Sequence, residues 1–176
     1  MPRTFTTKTA RETEELAEKL LPLLLKHKVI LLEGSLGSGK TTFVKGLAKA
    51  LGIRKVIKSP TYIYVNNYEF RISNFDINSK LKIDSKFKTC PSLHGGQASR
   101  RVQNSKFTKL CHFDLYRLPE TSENPSHTAA SIGLTDALDD PHALVVIEWP
   151  ERLPIKKEAL KIQFVNHTDH HKIIIH

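Results

Sequence analysis

Residues 34–42 read GSLGSGKTT, and within them Gly34, Gly39, Lys40 and Thr41 meet the spacing G-x-x-x-x-G-K-[ST]. The residue types explain what such a run can do. Glycines admit a backbone in which successive N–H groups turn inward at phosphate oxygens. A helix opening at this point adds its partial positive charge. An ammonium at Lys40 would neutralise β and γ phosphates, and the Thr41 hydroxyl would ligate magnesium. The competing reading is an incidental glycine turn before a helix cap. The flanks oppose it, because an apolar run at 29–33 reads as a buried strand and 42–51 reads as a helix stopped by Gly52.

Hydrolysis of a nucleotide also needs a carboxylate near the metal and a group to orient water. Two strand ends supply candidates. In LVVIEWPE, Glu148 follows four apolar residues and emerges beside the phosphate loop if its strand runs parallel to 29–33. In LCHFDLYR, Asp114 stands in the same relation to its own strand. Either could hold the metal through water or orient the nucleophile, and either could simply cap a turn. Ser59-Pro60-Thr61 places hydroxyls on the loop after the phosphate-binding helix, where a switch segment would sense a γ-phosphate; a Ser-Pro turn opening a strand is the plainer reading.

The elements that must position these groups follow from periodicity. A short extended start at 4–6 precedes Thr9 and Glu12, which read as a capping box, and Leu16, Leu20, Leu23 and Leu24 then recur at helical spacing. Pro22 is expected to kink or shorten that helix. Strands are expected at 61–69, 109–115 and 143–149, a short helix at 134–138, and a terminal hairpin at 160–165 and 172–175. No period is sustained over 72–108, which reads as a long basic loop or partly disordered insertion. The expected organisation is one domain over 1–176 carrying a basic insertion at about 70–109.

At 176 residues the chain suits one domain and is too short for a motor with separate substrate and lid domains. No apolar run approaches the roughly 20 residues a membrane helix needs, and the first residues lack a secretory pattern, so the expected location is the cytoplasm. Cys90 and Cys111 are too few for a disulfide framework. With His94 and His112 they match no compact zinc spacing, and Cys111 and His112 point to opposite faces of one strand. His167, His170, His171 and His176 read as a polar hairpin.

Net charge is +9, and 70–109 holds nine Lys or Arg against two acids, hence +7 of it. That segment reads as a solvated loop, a tRNA-contacting arm or a docking surface, with Phe75, Phe87 and Phe107 as its only candidates for stacking on bases.

The succession GSLGSGKTTFVKGLAKALG, VIKSPTYIYVNNYE, HFDLYRL, Gly133-Leu134 before a short helix, and VVIEWPERLP resembles the TsaE family, also called YjeE. The likeness runs over nearly the whole chain outside the insertion. It implies a P-loop NTPase-like α/β three-layer sandwich whose central parallel strands are flanked by antiparallel ones. It also implies a Mg2+-dependent ATPase, weak alone and activated by its partners, required for threonylcarbamoyladenosine at position 37 of tRNAs that read ANN codons. The partners would be TsaB and TsaD, with tRNA reached through their complex. TsaC or a related enzyme would make the threonylcarbamoyl adenylate and TsaD would carry out the transfer.

Carried over by position, the resemblance gives Gly37 to Thr42 to phosphates and Thr41 with Glu148 to Mg2+. Asp114 falls in a second switch-like motif supporting hydrolysis, and Thr61 in a first. Trp149 falls beside the nucleotide or the partner surface, and a nucleotide contact before the first helix falls at Thr9. The chain departs from the family pattern in its insertion and in the terminal hairpin, where His171 stands nearest to a nucleotide-reaching arginine; the exchange loses the always-charged planar fork. A reading from another class is a stand-alone nucleoside or small-molecule kinase with 70–109 as a substrate lid, although no acceptor pocket or base is identifiable. A third is a nucleotide-gated binding protein that barely turns over.

Overall fold

The computed structural model describes residues 2–70, 106–119 and 124–176. Most of the basic segment read at about 70–109 lies outside the described residues, and with it Phe75, Phe87, Cys90 and His94.

The apolar runs expected to be buried strands occupy the middle of a seven-stranded sheet. β2 (Val29–Gly34) lies between β5 (Ala143–Glu148) and β6 (Leu160–Asn166), and β4 (Lys109–Asp114) follows β5. These four strands are mutually parallel. Antiparallel strands close both flanks. β3 (Val65–Glu69) pairs with β4, while β7 (His171–Ile175) pairs with β6 and then with β1 (Arg3–Thr7).

Side chains alternate between the two faces of a strand, and here both faces are covered. Ile30, Leu32, Leu110, Leu144, Val146 and Ile162 face one core with α1 (Ala10–Leu24) and α2 (Lys40–Ala50). Val29, Leu31, Cys111, Phe113, Val145 and Ile147 face the other, with Leu134 and Ala137 of a short helix (Leu134–Asp139). Cys111 and His112 accordingly take opposite sides of β4. The result is a three-layer α/β sandwich with parallel strands at its centre.

The two long helices cross closely because Gly46 has no side chain: a Cβ there would lie 2.3 Å from the Glu14 carbonyl oxygen. α1 opens at Thr9, whose hydroxyl accepts from Glu12 N–H at 3.1 Å. The Glu12 carboxylate reaches back to Lys8 N–H at 2.7 Å, one residue before the cap of a capping box. Pro22 sits in the last turn, and the helix ends two residues after it.

The main departures from the periodic reading are two strand ends and one helix. The strand expected from residue 61 begins at Val65, because 61–63 form a turn closed by Ile63 N–H to Pro60 C=O and Tyr64 takes φ 60°. β5 stops at Glu148 because Trp149 also takes φ 60°. A further helix, α3 (Pro125–Ser131), which periodicity does not predict, precedes α4 (Leu134–Asp139). Pro125 opens that helix, where a missing N–H costs nothing, and Asn124 caps it through His127 N–H.

Candidate nucleotide-binding site

Strand register assembles the site. Leu32 of β2 and Asp114 of β4 are both in register with Glu148 of β5, so three parallel strands end at one level where the glycine loop leaves β2. This is the carboxyl edge of the sheet, where open α/β folds bind ligands. The loop then turns through Gly34 (φ 145°), Gly37 (φ 75°) and Gly39 (φ 97°) before α2 begins at Lys40. At Gly34 the glycine is required twice over: besides its φ, a Cβ would meet the Phe164 carbonyl oxygen at 2.5 Å and Ser38 Oγ at 3.0 Å.

Lys40 is folded into its own loop. Its Nζ donates to Gly34 C=O at 2.7 Å and to Ser35 C=O at 2.9 Å and lies 4.1 Å from the Trp149 ring centroid. The side chain is buried, and desolvation lowers its pKa from the ordinary lysine value, opposed by Glu148, Glu151 and Asp114. The hydroxyl of Ser38 is buried and makes no hydrogen bond. A cationic group, an unspent hydroxyl and three glycines at positive φ therefore share one loop, a donor set suited to phosphate oxygens.

Thr41, in the first turn of α2, donates to Glu148 at 2.9 Å (Oε1) and 3.1 Å (Oε2). One hydroxyl and one carboxylate fit magnesium held mainly by phosphates and water, since that ion commonly takes only one or two protein carboxylates. Among the described residues no group of three or more His, Cys, Asp or Glu forms a self-sufficient metal cluster. Glu148 is held from the strand side as well, where His112 Nε2 lies 2.8 Å from the same Oε1.

Asp114 makes a separate cluster. Its Oδ2 accepts from Ser59 Oγ and, at 2.7 Å, from Thr61 Oγ1, while Oδ1 accepts Tyr116 N–H at 3.1 Å. The Ser59-Pro60-Thr61 turn is thus tied to the end of β4. Trp149, half-buried and next to Glu148, packs its ring 5.0 Å from that of Tyr116.

The sequence candidates divide by distance from this centre. Lys40, Thr41, Glu148 and Trp149 meet there, with Gly37, Ser38 and Gly39 in the loop and Thr42 half-buried in the first turn of α2, while Asp114 stands beside it in register with Glu148. Thr61 joins through Asp114. Thr9 is a helix cap; its helix nears the loop at Thr13, 3.8 Å from where a Gly39 Cβ would stand. His171 Nδ1 lies 2.6 Å from Asn166 Oδ1, and Asn166 Nδ2 reaches Ser35 Oγ at 3.5 Å, so His171 approaches the loop only through a neighbour. The sequence reading assigned no place in this site to His112. Its signal was the two-residue spacing from Asp114, which puts both on one face of β4.

Fold and loop define a class, the α/β proteins with a phosphate-binding loop. Comparison narrows it. The family model described as "Threonylcarbamoyl adenosine biosynthesis protein TsaE" matches residues 7–86 and 99–174, and the chain belongs to the TsaE family. The break at 87–98 falls inside the basic segment. A TsaE protein of Aquifex aeolicus is 44% identical over 78 residues, 37% of this chain and 59% of the relative. One from Nostoc sp. strain PCC 7120 is 35% identical over 137 residues, 76% of this chain and again 59% of the relative. Both relatives are named "tRNA threonylcarbamoyladenosine biosynthesis protein TsaE", and the matches span about three fifths of their length. The crystal structure of Bacillus subtilis YdiB superposes with a TM-score of 0.55 over 99% of this chain and 84% of that one, at 21% identity, and shares the fold. No described helix is long and apolar enough to cross a membrane.

Proposed function

We propose that this protein binds and hydrolyses ATP with Mg2+ and thereby supports threonylcarbamoyladenosine formation at tRNA position 37, working with TsaB- and TsaD-type partners. The observation that carries the reading is the register placing Glu148, bonded to Thr41, and Asp114 at the mouth of the glycine loop in a member of the TsaE family.

The residues divide the work. Inward N–H groups from Gly37 to Thr42 and the Ser38 hydroxyl receive phosphate oxygens. Lys40 leaves the carbonyls of Gly34 and Ser35 for the β and γ phosphates, exchanging neutral acceptors for charged ones. Thr41 and Glu148 hold the metal, which when bound neutralises charge developing on the transferred phosphoryl group. Asp114 orients the attacking water once Thr61 and Ser59 turn toward the nucleotide. Trp149 covers Lys40 and limits solvent access. Coupled to partners, such a cycle performs conformational work on an assembly; the chain need hold no tRNA chemistry of its own.

Phosphate release from ATP is the test, measured with and without TsaB and TsaD from one source. Release that rises with the partners supports the proposal. Transfer of labelled γ-phosphate to a nucleoside or small metabolite would replace it with a kinase.

A further inference from the structure

Resting on that nucleotide-binding reading, we infer that His112 is a positioning residue that fixes the Glu148 carboxylate for metal binding. His112 is fully buried in β4, in register with Val146 of β5 and Asn66 of β3. A carboxylate has only acceptor atoms, so the 2.8 Å contact is donated by Nε2–H to Glu148 Oε1. The ring's other nitrogen, Nδ1, is buried without a hydrogen bond.

That imbalance separates a positioning role from a structural one. A buried polar atom left unsatisfied costs about 1–3 kcal/mol, and the neighbouring positions on the same face, Leu110 and Val146, are apolar. Stability alone would place an apolar side chain at 112. The one thing imidazole provides that leucine cannot is the donor aimed at Glu148. With it, the carboxylate is gripped by two elements: Thr41 of α2 bonds both oxygens, and His112 of β4 bonds Oε1. Without it, Thr41 alone sets the carboxylate plane, and Thr41 is itself a candidate ligand. Groups that orient metal-binding carboxylates from behind commonly govern affinity for the ion by about 10–100-fold.

Three substitutions separate reach from packing. The amide nitrogen of His112→Gln extends to about the position of Nε2, that of His112→Asn stops near Nδ1, and His112→Leu has no donor. Manganese binding to the protein with ATP is followed by electron paramagnetic resonance, ATP binding is measured separately in EDTA, and folding is followed by thermal unfolding. The Asn and Leu variants are expected to need about tenfold more manganese or beyond, with ATP binding in EDTA unchanged, and Gln is expected to restore the wild-type requirement.

The inference is overturned if folded Asn or Leu variants bind manganese as wild type does, or if Gln is as impaired as Asn. It is also overturned if ATP binding in EDTA falls in parallel, or if only Gln and wild type fold. Wild-type protein that binds no ATP at all would defeat the functional reading itself, a result distinct from any of these.

Discussion

Replacing Lys40 by methionine should make the nucleotide-free protein more stable while removing its affinity for ATP. Lys40 is a buried ammonium with two carbonyl acceptors and a tryptophan face but, among the described residues, no salt bridge. Burial lowers its hold on the proton relative to the unfolded chain, where the ordinary value is 10.5. A lysine shifted in this direction costs stability throughout the neutral range, and the cost is relieved only as pH rises through the lowered folded value toward the unfolded one. Methionine keeps the length and flexibility of the chain without the charge, so the expected gain is about 0.5–2 kcal/mol, typical of replacing a functional group held at a stability cost. For a protein of this size that raises the melting temperature by about 2–4 °C per kcal/mol. ATP with Mg2+ should stabilise wild type by about 2.7 kcal/mol at a hundredfold excess over Kd. The variant should show no such shift: losing two charge-assisted bonds of about 1.5–3 kcal/mol each weakens binding by about a hundredfold or more. Differential scanning fluorimetry with and without MgATP reads both effects. A variant that melts below nucleotide-free wild type would refute the reasoning about Lys40.

Other perturbations test other parts of the account. Trp149 is the only tryptophan, and its ring faces the Lys40 ammonium, so MgATP should change intrinsic fluorescence in wild type and leave Lys40→Met unchanged; an unresponsive wild type that binds ATP would contradict the proposed movement of Lys40. Gly37→Ala, with open space around it, should cost about 1–2 kcal/mol in urea unfolding, whereas Gly34→Ala, clashing with the Phe164 carbonyl, should cost about 3 kcal/mol or more; equal losses would argue against the β2–β6 approach. The Lys109 ammonium, 2.8 Å away, with His142 N–H, holds the Asp140 carboxyl below its ordinary 3.8. A depressed carboxylate stabilises above the unfolded value and loses that effect as pH falls through the folded one. Asp140→Asn should therefore flatten the fall in urea midpoint below about pH 4, and an unchanged pH profile would show the pair to be without effect.

What could be read from the chain was whatever depends on short spacing. The glycine loop announces itself in eight residues, and an apolar run ending in an acid marked both Asp114 and Glu148 as strand-end groups. Long-range pairing was less accessible. The tail was recognisable as a hairpin, yet nothing local says that β6 lies parallel to β2 or that β7 recruits β1. Left-handed backbone at Tyr64 and Trp149 was hidden because bulky residues seldom adopt it, and that is why two strands were drawn too long. The helix at 125–131 was masked by its opening proline. His112 was readable in principle from its spacing to Asp114, whereas the link from His171 through Asn166 to Ser35 depends on three elements meeting in space.

The central claim is that the glycine loop, Lys40 and the Thr41–Glu148 pair together hold the triphosphate of ATP. Equilibrium dialysis of the folded protein against labelled ATP with Mg2+ tests it most directly. The account predicts one nucleotide retained per chain, lost in Lys40→Met; folded wild-type protein that retains none would contradict it.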